Sequence, residues 1–222
     1  MNNRVCYIVG AGDFYGFDTI PQEEDFVIAA DAGLRYLENE KIVTNLVIGD
    51  FDTLGAAPNH HNVITLNCEK DDTDTLSAIK EGIKLGYETF YLYGCTGGRI
   101  EHTLANIQTL KYLSEQGRRG FLFGEDNIMT TLTNGRFDFS EHDDGYISVF
   151  SLTDKSIGVN LSGLKYELNN ATLTSDFPIG VSNEFAGKKS SIEVASGTLL
   201  IVFPKEYKED IYDEESTNDC RF

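Results

Sequence analysis

The 222-residue sequence predicts an α/β amino-terminal domain with a mostly parallel sheet, followed by an all-β carboxy-terminal sandwich. Three observations predict it. Strand-type and helix-type patterns alternate through the first half, and several strand runs end directly on Gly or Asp. From Ile128 onward the helical period gives way to short alternating runs separated by Gly, Asn, Asp and Ser. The change falls near Thr133–Asp138, giving domains at 1–135 and 136–204 and an acidic, loosely ordered tail at 205–222.

Taken in order, Val5–Val9 is an apolar run ending at Gly10-Ala11-Gly12, and Phe26–Ala30 is a second ending at Asp31-Ala32-Gly33. Leu34 to Glu40 reads as a short helix with Leu34 and Leu37 inward, and Leu46-Val47-Ile48 as a third strand with Asp50 just beyond it. Asp72 or Thr73 caps a helix carrying Leu76, Ile79 and Ile83 at helical spacing and stopping by Gly86. Thr89–Tyr93, aromatic and β-branched, is the next strand. A glycine loop then leads into a helix from about Glu101 to Gln116. Leu104, Ile107, Leu110 and Leu113 share its apolar face, and Gly117 is its cap. The later strands are Tyr146–Leu152, Ile157–Leu161, Ala171–Thr174, Ile192–Val194 and Leu199–Phe203.

The formal charge of −18, from 18 basic and 36 acidic residues, argues against a protein that tracks a nucleic-acid backbone. No segment approaches the roughly 20 apolar residues of a membrane span, and the first apolar run is too short for a signal peptide. Cys6, Cys68, Cys95 and Cys220 are widely separated, which predicts reduced thiols and a cytoplasmic protein.

Three clusters carry chemistry: Gly49-Asp50-Phe51-Asp52, Lys70-Asp71-Asp72-Thr73-Asp74 and Gly97-Gly98-Arg99-Ile100-Glu101-His102. Together they suit a magnesium-bridged phosphate chain: carboxylates for the metal, cations for phosphoryl oxygens, and glycines that admit backbone N–H groups to the anion. Asp50 and Asp52 flank Phe51, so both carboxylates can face one side while the ring packs inward; a solvated turn is the plainer alternative. Asp71, Asp72 and Asp74 exceed what a helix cap requires. The Gly94–Arg99 loop lacks the Walker order, but Arg99 can bind a phosphoryl group through two parallel hydrogen bonds. Gly10-Ala11-Gly12 is half a dinucleotide fingerprint without its third glycine or following helix, and is set aside. Asp31, Asp50 and the Gly94–Arg99 loop all follow strand ends, so they converge on one edge of a parallel sheet.

These motifs, in order, resemble the thiamine pyrophosphokinase family: Asp31-Ala32-Gly33, Val47 to Asp52, Lys70 to Asp74, Gly97 to His102 and Leu104-Ala105-Asn106-Ile107. The resemblance continues through Leu161 to Tyr166, Ser182-Asn183-Glu184-Phe185 and Ser196 to Leu200. It implies transfer of pyrophosphate from ATP to the hydroxyl of thiamine, with an ATP-binding catalytic domain, a thiamine-binding sandwich and a homodimer holding thiamine where subunits meet. By the same resemblance Asp50, Asp52 and Asp74 hold Mg2+, and Asp31, Gly33, Lys70, Gly97, Gly98, Arg99 and His102 bind ATP. Asp50, Asp52, Asp74, Arg99 and Glu101 are the catalytic set, with Asp74 or Glu101 as general base, and Ser182 and Asn183 contact thiamine. Glu101 stands where the family usually has Asp. Two alternatives stay open at this level: a pyrophosphokinase for another alcohol, such as a hydroxymethylpterin, and a nucleotide-binding module without chemistry.

Overall fold

The structure, a computed structural model, describes residues 4–51, 57–67, 69 and 71–211. Two compact units make up the chain: one is the chain to Thr109 with Arg118–Glu125, the other is Leu110–Gly117 with the chain from Asp126.

The first unit is built on β1 (Val5–Val9), β2 (Phe26–Ala30), β3 (Leu46–Gly49), β4 (Val63–Thr65), β5 (Thr89–Tyr93) and β6 (Arg119–Phe123). Their order is β6-β5-β1-β2-β3-β4, and every pairing is parallel. Every residue of β1 and β5 is buried, as expected of parallel strands covered on both faces. From β1 the chain moves outward through β2, β3 and β4, then returns to the other side of β1 with β5 and β6. The strand order therefore reverses between β1 and β5, and the loops leaving these two strands open a crevice at their carboxyl ends.

Three helices accompany this sheet: α1 (Leu34–Glu40), α2 (Asp74–Lys84) and α3 (Ile100–Glu115), the last belonging to this unit as far as Thr109. Thr73 caps α2, its side chain accepting from Leu76 N at 3.1 Å. Of the expected Leu76, Ile79 and Ile83, Ile79 is buried and the other two are half-buried; Ser77, Ala78 and Gly82 complete the buried face of α2. Small residues win because the helix lies close on the sheet. A Cβ at Gly82 would stand 2.6 Å from the Phe90 ring and 2.8 Å from Cys6 Sγ. On α3, Leu110 and Leu113 are buried with Asn106 and Thr109, while Leu104 is 55% exposed.

The second unit contains β7 (Asn127–Thr133), β8 (Arg136–His142), β9 (Tyr146–Ser151), β10 (Lys155–Ser162), β11 (Leu168–Thr174), β12 (Asn183–Glu184), β13 (Lys188–Glu193) and β14 (Thr198–Pro204). They form two antiparallel layers, β12-β9-β14-β7 and β11-β10-β13-β8. Phe137 and Phe139 project inward from β8 and meet Phe203 of β14 at 6.1 and 5.2 Å between ring centroids, so aromatic side chains join the layers. Residues 205–211 depart from the loosely ordered end expected of them. Lys205–Tyr207 form a 3-10 turn, and Asp210 and Ile211 are 1% and 0% exposed. Charge composition concealed a segment anchored by a few specific contacts. No helix among the described residues is long and apolar enough to cross a membrane.

Candidate active site

The loops after β1 and β5 are held together by backbone hydrogen bonds. Gly10 N donates to Tyr93 O at 2.8 Å, Gly12 N to Gly94 O at 2.7 Å, and Asp13 N to Thr96 O at 2.8 Å. From α1 the Tyr36 hydroxyl donates to Gly12 O at 2.8 Å, and its ring stacks on Phe14 at 4.9 Å. Gly10-Ala11-Gly12 thus has a local purpose unrelated to a dinucleotide fingerprint: it lets two main chains run side by side. A Cβ at Gly12 would overlap the Thr96 carbonyl oxygen and lie 2.9 Å from that of Gly94. Both obstacles are backbone, so Gly12→Ala is expected to lower stability by about 1–3 kcal/mol, as overpacking does. A melting midpoint within about 1 °C of the parent would contradict this.

Between these loops lies a cavity of about 330 Å³. Ala11, Gly12 and Asp13 line one side, and Gly94 to Arg99 line another. Asp31, Thr75, His102 and Asn106 complete it. Gly97 and Gly98 have φ of +72° and +52°, a conformation that suits glycine and turns the loop back on itself. Asn106, buried on α3, donates from Nδ2 to Cys95 O at 2.8 Å and fixes the loop to the helix that follows it. Burial pushes the Cys95 thiol up to about 12, so it lines the cavity as a protonated, unreactive group.

Asp31 is the most demanding residue here. It is 8% exposed, adopts φ of +50° directly after β2, and its buried Oδ1 has no hydrogen-bond partner among the described residues. A buried carboxylate oxygen without a donor is costly, and a ligand hydroxyl or a hard cation relieves the cost. An oxygen donor of this kind fits Mg2+. Among the described residues no cluster of three or more His, Cys, Asp or Glu is arranged as a metal site. Asp52, one of the three expected ligands, lies outside the described residues, as does Lys70.

Arg99 lines the cavity with a 73% exposed side chain, and its Nε donates to Glu101 Oε1 at 2.7 Å. A hydrogen bond from its own backbone N–H, followed by Arg99, holds the Glu101 carboxyl below its usual range. The Glu101–Arg99 contact is therefore present above the ordinary carboxylate range and lost only as pH falls through the lowered value. His102 lines the cavity from the first turn of α3.

The other expected residues are distributed around this centre. Gly33 is buried beneath the site, where a Cβ would collide with Val9 O, and does not line the cavity. Asp50, half-buried, follows β3. Phe51 is 2% exposed with φ of +59°, so the ring does pack inward. Asp74 opens α2 beside the cavity-lining Thr75. Asp71 and Asp72 border a second, open hollow of about 460 Å³, where Asp72 pairs with Lys80 Nζ at 2.6 Å. Asp13 and Thr75 are cavity residues that sequence reasoning missed, while Thr96 and Asn106 stood inside its motifs without a role. Only Asn106, a polar residue at a buried helical position, left a readable signal.

Ser182 and Asn183 belong to the second unit. Ser182 is exposed, with φ of +55°, and its N donates to Ser148 Oγ at 3.0 Å. Asn183 is 4% exposed, and its amide is occupied by the protein itself. Oδ1 accepts from Tyr166 N and Glu184 N at 2.9 Å each, and Nδ2 donates to Tyr166 O at 2.7 Å. With Lys165 N donating to Glu184 O at 2.9 Å and a Leu164–Phe185 bridge, residues 164–166 and 183–185 form a short ladder.

Comparison with known proteins identifies the family. The family model described as "Thiamin pyrophosphokinase, catalytic domain" matches residues 17–122, and "Thiamin pyrophosphokinase, vitamin B1 binding domain" matches residues 136–199. The thiamine pyrophosphokinase of Bacillus subtilis (strain 168) is 27% identical over 190 residues, covering 81% of this chain and 87% of that protein. The crystal structure of thiamine pyrophosphokinase from Bacillus subtilis superposes with a TM-score of 0.77 at 25% identity, covering 90% of this chain and 98% of that one. A thiamin pyrophosphokinase family protein from Enterococcus faecalis gives 0.76 at 27% identity, covering 91% and 99%. With both domain models matched in order along one chain, this protein belongs to the thiamine pyrophosphokinase family.

Proposed function

We propose that this protein transfers the pyrophosphoryl group of ATP to the hydroxyethyl oxygen of thiamine, giving thiamine diphosphate and AMP. The observation that carries the reading is the crevice at the strand-order reversal, where the Asp31 oxygen without a donor among the described residues, the Gly97-Gly98 turn and Arg99 share one cavity. Thiamine oxygen attacks the β-phosphorus, and the bond from the β-phosphorus to the α-bridging oxygen breaks. AMP leaves with that electron pair, and the hydroxyl proton passes to a carboxylate. Positioning and charge neutralisation are the main demands of such chemistry. Arg99 and Lys70 neutralise the moving pyrophosphoryl oxygens, while Gly97, Gly98 and His102 shape the ATP side, with Gly33 supporting the turn that carries Asp31. Asp50, Asp52 and Asp74, with Asp31 alongside, would hold magnesium, which would supply the remaining charge neutralisation at the triphosphate.

Of the two candidate bases, we assign the role to Asp74, because the Glu101 carboxylate is engaged by Arg99, a contact that suits a residue steadying the guanidinium. Glu101→Gln is expected to keep turnover within about fivefold, the scale of an exposed ion pair, with an unaltered pH profile between pH 6 and 8. A fall of about 10²-fold with loss of a pH-dependent limb would return the base role to Glu101.

The division into a catalytic part, 1–135, and a thiamine-binding part, 136–204, belongs to the same reading. Ser182 offers an exposed hydroxyl, and Asn183 acts by holding Tyr166 in place. Asn183→Ala removes the side chain that both Tyr166 backbone groups bond, and is expected to raise the thiamine KM about tenfold with ATP binding nearly unchanged. Weakened ATP binding with normal thiamine saturation would remove Asn183 from the thiamine side. A homodimer with thiamine bound where subunits meet is supported by the exposure of Tyr146, Tyr166, Phe177, Ile179 and Val181. The free thiols of Cys6 and Cys95 suit a cytoplasmic setting.

The test is AMP release from Mg-ATP with and without thiamine, with the product identified by mass. Thiamine-dependent AMP matched by thiamine diphosphate supports the reading. ATP binding with no AMP in the presence of thiamine overturns it, and a panel of other alcohols, pterins included, would then identify the acceptor.

A further inference from the structure

The segment after β14 is fastened by a buried acid. Asp210, 1% exposed, accepts from Ser140 N through Oδ1 at 2.8 Å and pairs with His142 Nε2 through Oδ2 at 2.6 Å. Both of its oxygens are thus used by β8. The His142 ring stacks on Tyr207 at 3.7 Å and 14°, and the Tyr207 hydroxyl donates to Asp144 O at 2.8 Å. Burial, then Asp144, pushes the Tyr207 phenol up to about 12, so it remains a donor. Ile211 closes the strap, fully buried.

Phe185 is gripped by this assembly. Its ring meets His142 at 5.1 Å and Tyr207 at 5.2 Å, both nearly perpendicular, and Phe139 at 5.3 Å and 67°, and its N donates to Gly145 O at 3.1 Å. Phe185 lies two residues beyond Asn183, at the far end of the short ladder that holds Tyr166. Edge-to-face rings define position more sharply than aliphatic contacts, and a buried, fully satisfied polar pair fixes a single arrangement. The contacts therefore run from Asp210 through His142 and Phe185 to Asn183 and Tyr166.

We propose that Asp210 and His142 are positioning residues for the thiamine side of the reaction, acting through Phe185 on the Asn183–Tyr166 ladder. This rests on the functional reading above, and neither residue touches a reacting atom. Removing the Asp210 carboxylate leaves Ser140 N and the imidazole without a partner and loosens the grip on Phe185. The ATP crevice, built from the first unit, shares none of these contacts.

Two measurements on the full-length protein test it: steady-state kinetics with each substrate varied, and amide hydrogen exchange resolved by segment. Asp210→Ala is expected to raise the thiamine KM about tenfold and leave the ATP KM and kcat within about twofold, the signature of lost binding in one substrate's wall. Exchange is expected to accelerate at residues 183–187 and stay unchanged in β1 and β2. Asp210→Asn keeps an acceptor for Ser140 N and should recover part of the thiamine KM; it also serves if the alanine variant does not fold. Faster exchange at 183–187 with an unchanged thiamine KM would overturn the inference, and so would protection lost evenly across the unit. A parent enzyme that does not saturate with thiamine, with the exchange response still local, would overturn the functional reading and leave the coupling standing.

Discussion

Replacing Arg99 by alanine is expected to lower turnover by about 10²-fold or more, the cost of removing a charge that stabilises a developing anion. The side chain is 73% exposed and makes its resolved contact with Glu101, so the loss should come without a change in melting midpoint. Arg99→Lys separates the two qualities of the guanidinium. Lysine keeps the charge but cannot present two parallel donors, so it should recover only part of the lost rate. The measurements are kcat at saturating ATP and thiamine together with a thermal melt. Near-normal turnover in Arg99→Ala would remove this residue from phosphoryl stabilisation.

Asp52→Asn is expected to have an effect of the same order, about 10²-fold or more in turnover, by deleting a negative charge at almost constant volume. The case begins with its neighbours. Gly49 ends β3 at the carboxyl edge of the parallel sheet, Asp50 follows it, and Phe51 turns its ring into the core with a left-handed backbone. A bulky residue with positive φ is uncommon and persists where surrounding packing enforces it. Here it fixes the direction in which the chain leaves the strand. Partial rescue at elevated magnesium would show that the missing group belongs to the metal site. Normal turnover at ordinary magnesium would take Asp52 out of that site.

Much of the first unit was legible because its signals are local. β1, β2, α1 and β5 are contiguous apolar or aromatic stretches, and each forms where the pattern alone predicts. Asp31, Asp50 and the Gly94–Arg99 loop followed strand ends, so parallel topology alone directed them toward one edge, whereas the Lys70–Asp74 cluster was placed only at a helix start. β4 escaped notice because it is a three-residue, half-buried edge strand with little pattern to read. The buried face of α2 was read only in part because apolar periodicity marks large side chains, whereas close approach to the sheet selects Ser77, Ala78 and Gly82. Gly12 and Asp13 were missed for a different reason. Their role depends on the main chain at Gly94 and Thr96, about eighty residues away, and no local pattern encodes that proximity. Asn183 was found by resemblance, yet its amide serves Tyr166, a partnership visible only once the ladder is formed.

The small-residue face of α2 has a mechanical consequence. Gly82 sets the height of that helix above Phe90 and Cys6, and Asp74 and Thr75 ride at its other end, about 12 Å away at the usual rise per residue. The helix is a rigid arm pivoting on a point of contact with no side chain. One added methyl group at the pivot would press on Phe90 and Cys6 and shift the arm, and with it the helix end that carries Asp74 and the cavity-lining Thr75, while touching nothing in the cavity. The placing of the carboxylate proposed for catalysis thus depends on a glycine that does not line the cavity.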